Sequence, residues 1–164
     1  MNLTEEIKTE ENDMKGEDLF YTLLTGKTIE DTITTSRGKF TVKYPKQKDL
    51  MFIDRKVAIL RGGVPAACFD AESTFTLQKI AFLDTVIVSG DPWFEAVKKK
   101  NPNFSWGEVP DINFVNEVYV KAWTFRNEIQ RKFESASQQG SDGNSVSTDV
   151  SAPVADGVFK GITG

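Results

Sequence analysis

Asp70, Glu72, Asp84 and Asp91 form the most tempting acid cluster in this chain. Brought together in a pocket, they could hold a hard cation or pass protons. Their settings argue for something plainer, because they flank turns and apolar runs where carboxylates serve as loop charges and helix caps. Asp84 lies inside an apolar run, so it needs either a partner or a wet edge. There is no histidine anywhere. That removes the usual general base near neutral pH and the commonest metal ligand. Cys68 is the single cysteine. Set between Ala67 and Phe69 with no imidazole to activate it, it reads as a small core or edge residue. Gly62-Gly63-Val64-Pro65 is followed by no Gly-Lys-Ser/Thr, so the phosphate-loop pattern fails. Ser36-Arg37-Gly38 is a turn, not a nucleophile elbow. Lys98-Lys99-Lys100 beside Trp93, Phe94, Phe104 and Trp106 could grip nucleic acid through charge and stacking. The simpler reading is a solvated helix end with its rings turned inward. The expectation is therefore no catalytic residue, no metal and no cofactor.

The aromatic residues are more informative. Trp93, Phe94, Phe104, Trp106, Phe114, Trp123 and Phe125 crowd the second half of the chain. Most must form core, but aromatics joined by arginine are also typical interface anchors. Trp93, Phe94, Trp106 and Trp123 are the candidate protein-binding anchors. Arg37, Arg55, Arg61 and Arg126 are available for the polar side of such a surface.

Several elements must position these residues. Asp18 to Leu24 reads as one or two helical turns or an apolar hook, ended by Gly26. Residues 28–35 are rich in β-branched side chains, and Phe40, Val42 and Tyr44 alternate on one face after the Ser36–Lys39 turn. That is a β-hairpin, stopped by Pro45. Two strands alone are marginal in water, so they must lean on helices or recruit strands from another chain. Asp49 is placed to cap a helix carrying Leu50, Ile53, Val57 and Leu60, stopped at Gly62-Gly63. A second helix, apolar on most sides and so central, runs from about Ser73 to Val88. Asp91 and Pro92 open a short helix through Lys100, whose terminal lysines suit the macrodipole. Pro110-Asp111 opens the longest helix. Its stripe Val115, Val118, Tyr119, Ala122, Phe125, Ile129, Phe133 predicts a rod of about 23 residues, roughly 35 Å.

The ends differ from the middle. Residues 1–24 carry seven acids against two lysines, whereas residues 25–135 carry 17 Lys/Arg against 14 Asp/Glu. An acidic arm on a mildly basic body can fold back or reach a basic partner, although a solvating leader is the plainer role. From Ala136 the composition turns to Ser, Gly, Asn and Gln, a flexible-tail signature. Near its end Val158, Phe159 and Ile162 form a candidate docking peptide. The predicted organisation is an acidic, largely flexible arm (1–24), a compact domain (25–135) and a flexible tail (136–164). The predicted fold is α+β and mainly helical, an N-terminal hairpin followed by three to four helices with disordered ends. One cysteine excludes a disulfide-stapled scaffold and fits a reducing cytoplasm. No apolar leader segment is visible and the apolar runs are short, so no membrane partner is expected. With a net charge of −4, nucleic acid is disfavoured as a partner.

The order of these elements resembles the tail assembly chaperones of long-tailed bacteriophages. The matching stretch is Thr32 to Phe133. It comprises Thr34-Thr35-Ser36-Arg37-Gly38 with Phe40-Thr41-Val42-Lys43-Tyr44-Pro45, then Asp49 through Ala58, Gly62-Gly63-Val64-Pro65 with Phe69-Asp70, Ala81 through Val86, Pro92-Trp93-Phe94 and the helix from Asn113. No invariant residue defines the family. The resemblance implies a small protein of the host cytoplasm that coats the hydrophobic tape measure protein while tail tube subunits polymerise around it. It also implies no catalytic site, no cofactor, absence from finished virions and, in many phages, a longer frameshifted form. The partners it implies are the tape measure protein and the tail tube protein, and self-association into a homo-oligomer is compatible with it. The competing expectation is a structural virion protein, such as a connector, tail completion or baseplate component. A small enzyme or nucleic-acid binder is the third.

Overall fold

The computed structural model describes residues 16–139. Its elements are α1 (Gly16–Leu24), β1 (Glu30–Thr35), β2 (Gly38–Lys43), α2 (Gln47–Leu60), α3 (Ala71–Val86), β3 (Ile87–Gly90), α4 (Pro92–Lys100) and α5 (Ile112–Gln139), with single 3-10 turns at Ala66–Cys68 and Trp106–Glu108. The fold is α+β and mainly helical, as the patterning predicts.

The hairpin pairs Ile33 with Phe40 and Thr35 with Gly38. Its turn works because the left-handed excursion falls on Gly38, at φ +130. A Cβ there would also lie 2.2 Å from the Asp91 carboxylate. The hairpin gains a third strand from its own chain: β3 pairs antiparallel with β2, giving the order β1-β2-β3. This corrects the expected helix through Val88. The helix stops at Val86 because Ile87 and Val88 are β-branched and the open edge of β2 offers backbone partners.

Asp49 also departs from expectation. Lys46 is the N-cap of α2, and Asp49 stands in the first turn, where its carboxylate accepts from the Lys46 N–H at 2.9 Å and from Lys43 Nζ at 3.1 Å. Asp70 caps α3, accepting from the Ser73 N–H at 2.7 Å. Those hydrogen bonds from Ser73 hold its carboxyl below the ordinary range. α4 opens at Asp91-Pro92 and ends on its three lysines as expected.

Two boundaries shift. α1 is part of the folded body, because Leu19 is 1% exposed and joins the core. The acidic arm is thus cut short at its C-terminal side. α5 runs to Gln139, 28 residues or about 42 Å, past the expected start of the tail. α1 packs along the C-terminal half of α5 so closely that a Cβ at Gly16 would lie 2.0 Å from the Lys132 carbonyl oxygen.

The core is one cluster built from the inner face of the sheet, α3 and the apolar stripe of α5, with Phe40, Val42, Leu83, Val86 and Val118 fully enclosed. Asp84 is the partnered carboxylate that its position requires. Its side chain is 4% exposed, and it accepts from Lys56 Nζ, Ser105 Oγ and the Trp106 N–H, each at 2.6 Å. One buried acid thereby ties α2, α3 and the loop before α5 together.

Candidate protein-binding surface

α4 delivers Trp93, Phe94 and Val97 to one wall of an apolar cleft of about 350 Å³. The loop after α4 supplies Phe104, Trp106, Val109 and Pro110, and the first turn of α5 supplies Phe114. The rings meet mostly edge to face: Phe94 with Phe40 at 5.1 Å and Phe104 at 5.5 Å, Phe40 with Trp106 at 5.5 Å. Edge-to-face contact is the favoured arrangement for aromatic quadrupoles.

The candidate anchors divide. Trp93 is 44% exposed and stands at the rim, with its Nε1–H donating to the Arg37 carbonyl at 2.9 Å. Phe94 and Trp106 are each 2% exposed, so they are corrected from surface anchors to the floor that supports the cleft. The reason is packing. Phe40 of the sheet gathers both rings, and Trp106 is drawn in further when its backbone binds Asp84. Trp123, 38% exposed, lies outside this cleft on α5. It stacks on Tyr119 at 5.7 Å, with the Arg126 guanidinium 4.6 Å from its ring centre. Burial raises the Tyr119 hydroxyl pKa above its usual value, with Arg126 opposing. Val158, Phe159 and Ile162 lie outside the described residues.

The polar rim is an organised lattice. Arg37 pairs with Asp111 at 2.7 Å and lies 5.5 Å from the centre of the Phe114 ring. Arg37, followed by the Phe114 N–H, holds the Asp111 carboxyl below its ordinary range. Glu117 accepts from the Ser36 hydroxyl at 2.5 Å and the Ser36 N–H at 2.9 Å. The Ser36 hydroxyl and Lys121 hold that carboxyl low as well. The hairpin turn is thus fixed to the start of α5, which fixes one lip of the cleft.

Sequence reasoning missed Val97, Val109 and Pro110 as lining residues, although Val97 follows Trp93 by one helical turn. It also missed an outward strip on α2, where Met51, Phe52 and Ile59 are exposed beside Lys48 and Arg55. Phe52 and Ile59 recur seven apart, a second stripe beside the one facing the core. Cys68 is exposed rather than packed. The four tempting acids serve separate ends. Asp70 caps α3 and Glu72 follows it, Asp84 holds Lys56 and the loop, and Asp91 accepts from the Lys39 N–H at 3.1 Å. Among the described residues no group of three or more His, Cys, Asp or Glu converges for a metal ion, and no helix is long and apolar enough to cross a membrane. What this arrangement offers chemically is an aromatic cleft with a charged lip and further exposed apolar strips, a surface for holding apolar segments. No protein-family model, curated protein or solved structure matches this chain.

Proposed function

We propose that this chain is a tail assembly chaperone of a long-tailed bacteriophage, holding the tape measure protein in the host cytoplasm until tail tube subunits enclose it. The observation that carries this reading is the aromatic cleft, with Trp93 standing at its rim over a floor of Phe94, Trp106 and Phe114. A client rich in long amphipathic helices would lay an apolar ridge into such a cleft. The exposed strip on α2 and the Tyr119–Trp123 pair would hold further turns of the same client. Many copies along one rod would act together, so each contact can stay weak and reversible.

Co-expression with the tape measure protein tests the reading. The client remains in the supernatant and co-purifies with the unaltered chain, and Trp93→Ala lowers that recovery. A client that precipitates equally with and without this chain ends the proposal. Mass spectrometry of purified virions provides the second check. High copy number in the particle would favour a structural virion protein instead.

A further inference from the structure

The three-stranded sheet has two outer edges, on β1 and on β3, and among the described residues no further strand pairs with either. An open edge turns N–H and C=O groups outward and is a template for another chain. Which groups these are follows from the register. The Tyr44 N–H donates to the Ile29 carbonyl at 2.8 Å, so Ile29 and Tyr44 form a hydrogen-bonded pair. Such pairs alternate along an antiparallel ladder. Asp31, Ile33 and Thr35 therefore bond to β2, whereas Glu30, Thr32 and Thr34 turn their backbone groups to the open side. At the other edge the Asp91 N–H donates to the Lys39 carbonyl at 3.0 Å. Ser89 therefore faces β2 and Gly90 faces out. Val88 is the extra residue of a bulge, because Thr41 opposes Ser89 while Val42 opposes Ile87.

Charged side chains occupy the outward groups at both edges. Glu95 of α4 accepts from the Gly90 N–H at 2.9 Å, and Lys98, three residues on, donates to the Val88 carbonyl at 3.1 Å. The two side chains also pair with each other at 3.3 Å. Together they present one acceptor and one donor, as a neighbouring strand would. On β1, Asp31 accepts from the Thr32 N–H at 2.7 Å, and Lys121 of α5 donates to the Thr34 carbonyl. Lys121 pairs with Glu117 at 3.1 Å, and Glu117 accepts from the Ser36 N–H just beyond the strand. Both ion pairs are partly exposed, and such pairs add little to stability by themselves. Their position on backbone groups that would otherwise be free gives them a different use.

We propose that Glu95 with Lys98, and Asp31 with Lys121, guard the sheet edges and keep β3 and β1 from adding a strand from another copy of this chain. The bulge at Val88 works in the same direction, since it interrupts the ladder at the edge. The guard stands independently of the client reading above. It rests on backbone hydrogen bonds and not on the aromatic cleft.

Light scattering and amide hydrogen exchange on the full chain test it. In the unaltered chain the Gly90 and Thr32 amides are protected at every concentration, held by Glu95 and Asp31. In Glu95→Ala/Lys98→Ala, Gly90 loses that protection in dilute solution. As concentration rises, the mean mass climbs toward twice that of the unaltered chain, and Gly90 becomes protected again by the added strand. Asp31→Ala/Lys121→Ala reads the β1 edge in the same way at Thr32. Glu95→Gln/Lys98→Arg keeps an acceptor and a donor in place, so it keeps the mass of the unaltered chain. An unchanged mass in either folded alanine variant overturns the guard at that edge. A mass that doubles while Gly90 and Thr32 stay unprotected places the association elsewhere and overturns the proposal. So does doubling in the Gln/Arg variant, which would make the charge of Glu95 and not its hydrogen bond the cause. Strand-to-strand NOEs between differently labelled copies of the unaltered chain overturn it as well.

Discussion

Trp93→Ala and Phe94→Ala remove neighbouring rings with different consequences. Trp93 contributes one hydrogen bond and a half-exposed face, so its loss is expected to leave the fold in place and, under the proposed function, to lower client affinity about tenfold, or about 1.4 kcal/mol. Phe94 is enclosed, and truncating it costs about 4 kcal/mol in urea unfolding. If both variants unfold alike, the division between rim and floor is wrong. Asp84→Ala is expected to cost about 3 kcal/mol, because it leaves the Ser105 hydroxyl, the Trp106 N–H and the half-buried Lys56 ammonium without their acceptor. The lip of the cleft has its own pH dependence. Asp111 and Glu117 have carboxyls lowered in the folded state by Arg37 and Ser36. Their contacts therefore stabilise fully above the ordinary carboxylate range and fade as pH falls through the lowered values. Amide shifts of Ser36 and Arg37 are expected to move in acid before the core amides do. The types of these residues were legible in the sequence. Which rings face water was not, because burial of Trp106 depends on a backbone bond to an acid 22 positions away.

Elements were legible where their period is distinct. The second hairpin strand alternates strictly, and α5 keeps one stripe over most of its length. β3 was not legible, since Val86-Ile87-Val88 continues the apolar run of α3 and a short run fits either period. Only the open edge of β2 decides it. α1 was ambiguous for a similar reason: its partner is α5, far along the chain, and a nine-residue helix gains little from propensity alone. The structure makes it a working part of the body, so Leu19→Ala is expected to lower stability by about 3 kcal/mol. Removing residues 2–15 should leave the melting temperature near its starting value, whereas removing residues 2–24 should depress it sharply. Gly38→Ala should cost about 1–2 kcal/mol. It forces a side chain into a left-handed backbone and onto the Asp91 carboxylate.

For the whole molecule, composition alone sets a folded middle apart from polar ends; among the described residues the core cluster runs from Leu19 to Ile129, with Phe133 packed against it. Truncation after Gln139 should therefore preserve the fold, read by amide dispersion, while weakening recovery of the tape measure protein through loss of Val158, Phe159 and Ile162. Unchanged recovery would remove the tail from the binding reading. The pairing of α1 with the far half of α5 also sets an order of events during synthesis. Residues 16–24 leave the ribosome long before Lys132 and Phe133 have been made, and until then Leu19 has no lasting shelter. The hairpin waits likewise for residues 87–90 to complete its sheet. Each newborn copy thus passes through an interval of sticky incompleteness, and the translation of α5 brings it to a close.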